Sequence, residues 1–341
     1  MFLPVRANGS QPFLYQLDST AAVSSVDPDR AAELGLKSNS AVVLDLEGVQ
    51  MTLQTLPSIA KAHFGAEVGR PYEGTLGGDF FSSVVIEIDY ARKTVRLYDP
   101  ADYRYSGHGQ SVPLRFSGGI PVVPAKFNLT GGKAAEADFV VNTALDASVS
   151  ISDRYVKAHG LHAPHTKTVS SAEHPPDGSG DTVLGRMKQF EIGGFAVDAP
   201  IADFSARNAQ ADDDARIAGE IGGGILRRFT VIFDYPHQRI IFDANSNLRE
   251  DDRGDMSGIF VIAGGPGLKR FEVAGVWPGG PGADAGVHAG DVIAGIDDEA
   301  AADLSLAEVR ALFREPGRQH KLLLERNGQT VTATIRLRRL L

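Results

Sequence analysis

The chain of 341 residues carries 43 acidic and 34 basic side chains, which gives a formal net charge of -9 at pH 7. An acidic surplus favours solubility, and we expect neither nucleic acid nor an anionic membrane surface as a partner. The chain has no cysteine, which excludes disulfides, thiolate catalysis and cysteine-ligated metal sites. No apolar run approaches the roughly 18 residues of a membrane span, so no span is predicted.

The length is typical of two or three domains. The first residues, Met1 to Arg6, lead directly into strand-like sequence, without the basic and then apolar regions of a signal peptide. The localisation is therefore left open. We expect a periplasmic or secreted protein if an N-terminal leader has been lost, and otherwise a cytoplasmic one.

The first segment, residues 1–106, is predicted to consist of strands separated by turns. A mostly apolar strand, Phe13–Leu17, leads Asp18 into a turn of small hydroxyl residues. A short helix should follow, with an N-cap, a first-turn proline and a C-terminal glycine at Asp27, Pro28 and Gly35. A glycine motif at 74–81 should follow, and then two further strands at 84–90 and 94–98.

The second segment, residues 107–247, repeats this order. An offset of 145 positions brings Gly77 onto Gly222, and an offset of 124 brings Asp18 onto Asn142. The connection between helix and glycine motif is 20 positions longer in the second copy. It contains residues 174–181, whose prolines and glycines predict a mobile loop. A polar linker at 245–254 closes the repeat.

The third segment, residues 256–341, has a different order of predicted strands and helices. Strands are predicted at 259–262 and 271–276, followed by an amphipathic helix over 305–313. Two final strands should pair across Asn327 and Gly328. This is a compact β-rich module.

A carboxylate at the tip of an apolar strand is poorly solvated, which is a common way to build a general acid or base. An aspartate that merely caps a turn is at least as common at such a position. Asp18 alone is therefore weak evidence for catalysis, and its context in the repeat carries the argument.

The motifs of both copies resemble those of the retropepsin-like and pepsin-like aspartic peptidases. The matching residues are Asp18-Ser19-Thr20 with Thr75-Leu76-Gly77, and Asn142-Thr143-Ala144 with Glu220-Ile221-Gly222. The third segment resembles the PDZ domain of bacterial proteins through residues 258–261, 281–283 and 289–293. The resemblance implies a mainly β fold, with retropepsin-like lobes at 1–106 and 107–247 forming one pepsin-like bilobal body, and a PDZ domain at 256–341. Because both lobes lie in one chain, a monomer is expected.

The family's mechanism uses two carboxylates that share a proton. Asn142 cannot exchange a proton, so the resemblance implies a degenerate dyad of Asp18 and Asn142, oriented by Ser19 and Thr143. We expect an aspartic endopeptidase family protein with weak or no hydrolysis. The alternative is a non-catalytic protein that binds peptides or unfolded proteins through its cleft and PDZ groove.

Two further departures from the family concern the backbone. The glycine that follows the hydroxyl residue is replaced by Thr20 and Ala144. If that position needs a positive φ or a close approach of the backbone, the added β-carbon costs about 1 kcal/mol or more. The flap, a hairpin that the family places between catalytic strand and glycine motif, should be truncated or missing in the first copy.

The PDZ-like module is expected to bind an extended peptide, including a free C-terminus, along one strand and one helix. The residues implied are Gly258, Ile259, Phe260, Val261, Leu306 and Val309. The alternative is an intramolecular clamp whose groove is blocked by the body. No cofactor or metal is predicted, and His159, His162 and His165 are interpreted as solvated loop residues.

Overall fold

The computed structural model describes residues 1–36, 41–53, 64–129, 134–161, 167–169, 182–206 and 214–341. The predicted loop at 174–181, His162 and His165 lie outside these residues. Two compact units are present. We call them the body (Met1–Ala60, Tyr72–Thr166 and Leu184–Asp252) and the C-terminal unit (Lys61–Pro71, Lys167–Val183 and Arg253–Leu341). The expected mainly β class is confirmed.

The first part of the chain forms eight strands and three short helices. In order they are β1 (Phe2–Ala7), β2 (Phe13–Leu17), β3 (Ser25–Val26), α1 (Pro28–Glu33), β4 (Val42–Leu46), β5 (Val49–Leu53), α2 (Phe64–Val68), β6 (Gly74–Leu76), α3 (Gly78–Ser83), β7 (Val85–Asp89) and β8 (Thr94–Tyr98). Six of the strands form one sheet in the order β3-β6-β2-β1-β4-β5. The predicted N-cap and C-terminal glycine of α1 are confirmed. The Asp27 side chain accepts from the first-turn amides, and Gly35 has a positive φ.

The second part begins with β9 (Gln110–Pro113), β10 (Arg115–Ser117), β11 (Ile120–Leu129), β12 (Ala134–Val141), β13 (Val149–Ser152), α4 (Asp153–His159) and β14 (Lys167–Val169). It continues with β15 (Thr182–Ile192), β16 (Phe195–Asp198), β17 (Ile201–Ala206), β18 (Ile217–Ile221), α5 (Gly223–Leu226), β19 (Phe229–Asp234) and β20 (Arg239–Ala244). In its sheet β13, β18, β12, β11 and β15 follow the pairing pattern of β3, β6, β2, β1 and β4. In each copy, the strand that ends at Asp18 or Asn142 (the motif strand, β2 or β12) thus runs parallel to the strand that precedes Gly77 or Gly222 (β6 or β18).

A third sheet joins the two copies in the order β8-β7-β19-β20-β9. Its central pair, β7 and β19, is antiparallel and places Glu87 opposite Ile232. The offset of 145 makes Ile232 the counterpart of Glu87, so a pseudo-twofold axis passes between them. Beneath this sheet the Phe81 ring packs on those of Phe233 and Tyr235, with centroids 5.2 and 5.3 Å away.

The polar stretch predicted as a linker is anchored to the body rather than loose. Arg228 is 1% exposed, and its Nη1 donates to the carbonyls of Asn247, Leu248 and Glu250 at 3.2, 3.1 and 2.5 Å. Burial lowers the pKa of the Arg228 guanidinium. This buried cation fixes the chain up to the end of the body.

The extra length of the second copy falls between helix and hairpin. In the first copy residues 34–41 separate α1 from β4, whereas in the second copy residues 160–181 separate α4 from β15. The hairpins that follow correspond, because β4 pairs with β1 as β15 pairs with β11. In the first copy β4 and β5 pair as a hairpin between the strand that ends at Asp18 and the glycine motif, so a hairpin is not missing there. Residues 37–40, 162–166 and 170–181 lie outside the described ranges, and the truncation of the flap stays a prediction.

The C-terminal unit contains β21 (Ile259–Gly264), β22 (Arg270–Val276), α6 (Pro281–Asp284), β23 (Val292–Ile296), β24 (Glu299–Ala300), α7 (Leu306–Leu312), β25 (Gln319–Arg326) and β26 (Gln329–Arg336). Its sheet runs β21-β22-β23-β25-β26, so β21 is an edge strand. Ser305 and Glu308 form a capping box at the start of α7. One piece that lies between body elements in the sequence, α2, packs in this unit. Residues 167–169, which form β14, are grouped with it, although β14 lies at the end of the sheet of the second copy.

Candidate functional site

Asp18 lies where β2 ends beside β6. Its backbone amide donates to the Leu76 carbonyl at 3.0 Å, which continues the parallel pairing by one residue. One carboxylate oxygen, Oδ1, accepts from the amide of Thr20 at 2.9 Å and from its hydroxyl at 2.6 Å. The carboxylate is therefore held by its own turn, and it is partly exposed.

Asn142 occupies the equivalent place at the end of β12. Its amide donates to the Ile221 carbonyl at 2.9 Å. The side-chain Oδ1 accepts from the amides of Ala144 and Leu145 at 2.9 and 3.1 Å. On the other side, Nδ2 donates to Oε2 of Glu220 at 2.6 Å. The amide thus bridges its own turn and a carboxylate on β18.

Ser19 and Thr143 tie the two strand ends together. The Ser19 hydroxyl donates to the Val141 carbonyl at 2.5 Å and accepts from the Thr143 amide at 3.1 Å. The Thr143 hydroxyl donates to the Leu17 carbonyl at 2.9 Å and accepts from the Ser19 amide at 3.0 Å. Both side chains are buried. This reciprocal set of four hydrogen bonds fixes the two turns across the pseudo-twofold axis.

The motif glycines allow each turn to pack on the following helix start. A β-carbon on Gly77 would lie 2.6 Å from the Ala21 carbonyl oxygen, and one on Gly222 would lie 2.3 Å from that of Ala147. Real β-carbons do not approach backbone atoms so closely. Glycine is needed here for space, which explains why it recurs in both copies.

The expected strain at Thr20 and Ala144 is absent. Neither residue has a positive φ, so the cost expected for a β-carbon at a positive φ does not apply. Instead, Thr20 adds a hydroxyl donor to the Asp18 carboxylate. The loss of glycine therefore changes the hydrogen bonding of the first turn without straining its backbone.

The contacts of three residues near the strand ends, Glu220, Thr20 and Tyr235, were not predicted from the sequence. Glu220 could have been found by pairing β12 with β18 in parallel, since this brings the residue before Ile221 and Gly222 beside the strand end. Asp146, four residues after Asn142, is exposed.

Tyr235 is a buried neighbour of the Asp18 charge. Burial raises the pKa of the Tyr235 phenol well above its ordinary value, and the negative charge of Asp18 raises it further. Within the described residues its hydroxyl has no hydrogen-bond partner. The ring stacks on Phe81 and meets Phe116 edge to face. The phenol therefore stays neutral and keeps its proton for donation.

The predicted peptide-binding residues of the C-terminal unit fall into two groups. Phe260 is 46% exposed on β21. The buried group packs in the core of the unit and consists of Ile259, Val261, Leu306 and Val309. Gly258 precedes β21 with a φ of 68°. Their role in ligand binding stays a prediction.

The loop before β21 already holds a carboxylate. Oδ1 of Asp255 accepts from the amides of Ser257 and Gly258 at 2.9 and 2.7 Å. The next amide, that of Ile259, donates to the Ser257 hydroxyl at 3.0 Å. Burial raises the pKa of Asp255 to about 6, although its hydrogen bonds and the charge of Arg314 favour the ionised form. Three successive amides therefore have internal acceptors.

A concavity of about 760 Å³ lies on the third sheet, away from Asp18 and Asn142. Its charged walls are paired, for example Arg92 with Asp89 and Arg96 with Glu87. These four side chains are therefore engaged with one another. Among the residues that the structure describes, no cluster of three or more potential metal ligands is found, and no helix is long and apolar enough to cross a membrane.

Comparison with known proteins identifies the C-terminal region. No curated protein matches the chain. Among solved structures, the chain is similar to the photosystem II D1 C-terminal processing protease, with 31% identity over 26% of this chain and 24% of that one, and a TM-score of 0.24. It is also similar to a retropepsin-like aspartic protease from Rickettsia conorii, with 14% identity over 41% of this chain and 95% of that one, and a TM-score of 0.29.

A third similar structure is the HtrA-type protease AlgW with a decapeptide, at 16% identity over 97% of this chain and 86% of that one, with a TM-score of 0.25. At these TM-scores none of the three likenesses establishes the fold of the whole chain. The alignment with the processing protease spans about a quarter of that protein. The family model of the PDZ domain, in contrast, matches residues 248–337. The C-terminal region of this chain is a PDZ domain.

Proposed function

We propose that the body is a peptide-binding relative of the aspartic endopeptidases that has lost efficient hydrolysis. The observation that carries the proposal is the hydrogen bonding of Asn142. Its oxygen accepts from two turn amides and its nitrogen donates to Glu220. An amide held in this way neither gives nor takes a proton, so the shared-proton chemistry of two carboxylates is not available.

Retained architecture supports binding. The two strand ends stay linked by the Ser19 and Thr143 hydroxyls, and Asp18 keeps a carboxylate held by its turn. These features would hold an extended peptide between the copies in the way that the family resemblance implies. The ligand class is therefore an unfolded segment of protein, and the PDZ domain adds a second peptide-binding element.

Glu220 indicates how the lost chemistry could be restored. Replacing Asn142 by aspartate alone would set two carboxylates at the position of a 2.6 Å hydrogen bond. Repulsion there would displace the new carboxylate from a productive place. The first copy has Thr75 at the position equivalent to Glu220, so Glu220→Thr is the matched compensating change.

The test is a peptide-cleavage assay with unfolded casein from acidic to neutral pH. Four chains are compared: the natural chain, Asp18→Asn, Asn142→Asp, and Asn142→Asp with Glu220→Thr. We expect no cleavage by the natural chain above the Asp18→Asn background, and a gain of activity in the double variant. Binding of labelled casein peptides to the natural chain is measured in parallel. Pepstatin-sensitive cleavage by the natural chain that Asp18→Asn abolishes would overturn the proposal.

A further inference from the structure

A segment that lies within the first copy in sequence packs inside the C-terminal unit. α2 and the turn after it stand between β5 and β6, yet residues 64–71 belong to the C-terminal unit, where α2 packs against β21. The strand β21 forms one wall of the predicted peptide groove and α7 forms the other. The segment therefore contacts the edge strand to which a peptide ligand would be added.

The segment also contacts α7, the second wall of the groove, at Gly69. A β-carbon on Gly69 would lie 2.3 Å from Cβ of Leu306, the first residue of α7. The φ of Gly69 is +67°, in the left-handed region that favours glycine. At the start of the segment, a β-carbon on Gly65 would lie 3.4 Å from Cδ1 of Leu268. Gly69 therefore has no room for a β-carbon, whereas a β-carbon on Gly65 would make an ordinary contact with Leu268.

The end of the groove that would receive a terminal carboxylate is also filled. Asp255 accepts from two of the loop amides, and the third amide is bound to Ser257. A peptide carboxylate arriving there would meet a carboxylate in place and no unpaired amide among these three. Along the groove, Nη2 of Arg310 reaches from α7 to the Val261 carbonyl on β21 at 3.1 Å.

We infer that the groove between β21 and α7 is an intramolecular docking site for residues 65–71, and that Asp255 takes the place of a ligand's terminal carboxylate. An external peptide binds only after the segment has left. It is then recognised as an internal stretch of chain rather than as a free C-terminus. This inference concerns the C-terminal unit and does not rest on the function proposed for the body.

The test uses the full chain and a fluorescein-labelled peptide of residues 64–72 with an amidated C-terminus. Gly69→Ala should eject the internal segment, because its β-carbon collides with Leu306. The matched control is Gly286→Ala, which has a φ of +75° and no atom within 4 Å of the added β-carbon. We expect Gly69→Ala to bind the peptide at least about tenfold more tightly than the natural chain and the control, because the groove is freed. Hydrogen exchange of β21 should also be faster in Gly69→Ala.

A second variant avoids any folding defect of Gly69→Ala. The chain has no cysteine, so Val68→Cys introduces a single thiol into a half-buried position of the segment. Excess unlabelled 64–72 peptide should accelerate alkylation of this thiol by displacing the segment. The inference is overturned if the peptide leaves the alkylation rate unchanged, or if the natural chain and both glycine variants bind the peptide equally. A tenfold preference for the free-acid peptide over the amidated one would overturn the role of Asp255.

Discussion

The strand ends at Asp18 and Asn142 share a backbone and differ in the chemistry of their side chains. In both copies the motif strand runs parallel to the strand before the glycine motif, and the turn packs on that motif's glycine. The first turn binds its carboxylate through Thr20, whereas the second holds an amide against Glu220. The comparison teaches that two copies of one backbone arrangement can hold different chemical groups at equivalent strand ends.

The largest loss of stability is expected when one of the two hydroxyls that link the ends of β2 and β12 is removed. Ser19→Ala and Thr143→Val each remove a buried donor and leave a carbonyl and an amide without partners. Each should lower the free energy of unfolding by about 3 kcal/mol. Urea unfolding of both variants measures this, with Ser82→Ala in the exposed part of α3 as a control. Very unequal losses would contradict the symmetric role of the two hydroxyls.

The second largest loss of stability is expected when the amide at the end of β12 is replaced by a carboxylate, as at the end of β2. Asn142→Asp replaces the hydrogen bond to Glu220 by repulsion between carboxylates, and should cost about 2 kcal/mol at pH 7. The loss should shrink near pH 4, as carboxyl groups take up protons. Adding Glu220→Thr should remove it at both pH values. Thermal unfolding at the two pH values checks this, and an unchanged stability of Asn142→Asp at pH 7 would show that the Glu220 contact is unimportant.

A third carboxylate, that of Asp255, lies in a turn similar to that of Asp18 but outside the repeat. Asp255 accepts from the amide and the hydroxyl of the second residue after it, as Asp18 does. Its pKa is raised to about 6 by burial, so the folded state favours the protonated form. The contribution of this group to stability is therefore fully present below about pH 4 and lost as the pH rises through 6.

We expect the melting temperature of the C-terminal unit to fall over that interval on account of Asp255. Asp255→Asn keeps an acceptor for the loop amides and removes the charge, so the variant should lack this part of the pH dependence. Scanning calorimetry of both full chains at several pH values provides the measurement. Parallel pH profiles for the two chains would refute the assignment.

The smallest effect concerns Thr20. Thr20→Val removes the hydroxyl that donates to Asp18 and should cost about 1 kcal/mol. The exposed Thr52→Val on β5 is the control and should be neutral. Urea unfolding distinguishes the two. A neutral Thr20→Val would indicate that water replaces the hydroxyl without loss.

Much of the architecture could be predicted because local signals and the repeat agreed with one another. The strand Phe13–Leu17 and the helix cap at Asp27 were predicted correctly, since apolar pattern and capping chemistry are local. The correspondence of Asp18 with Asn142 followed from comparing two copies of one chain. The structure adds the reciprocal bonds of Ser19 and Thr143, for which the sequence offered only the residue types.

Contacts between residues distant in sequence could not be predicted in the same way. The sequence placed Glu220 only in a glycine motif. Its approach to Asn142 depends on the register of β18 against β12, which no local pattern predicts. Arg228 lies in a stretch with no distinctive pattern, yet it is buried and anchors the predicted linker. The packing of α2 against β21 had no signal in the local sequence around it.

The discontinuous make-up of the C-terminal unit has a consequence for how the protein is synthesised. Residues 64–71 leave the ribosome long before β21 and α7, against which they pack. Because domains fold as they emerge, the first strands can pair while this segment still lacks its partner. Its docking is then a late event with a large loop to close, and such contacts form slowly. Ribosome-bound chains stopped before β21 should therefore expose this segment to proteases that the finished chain resists.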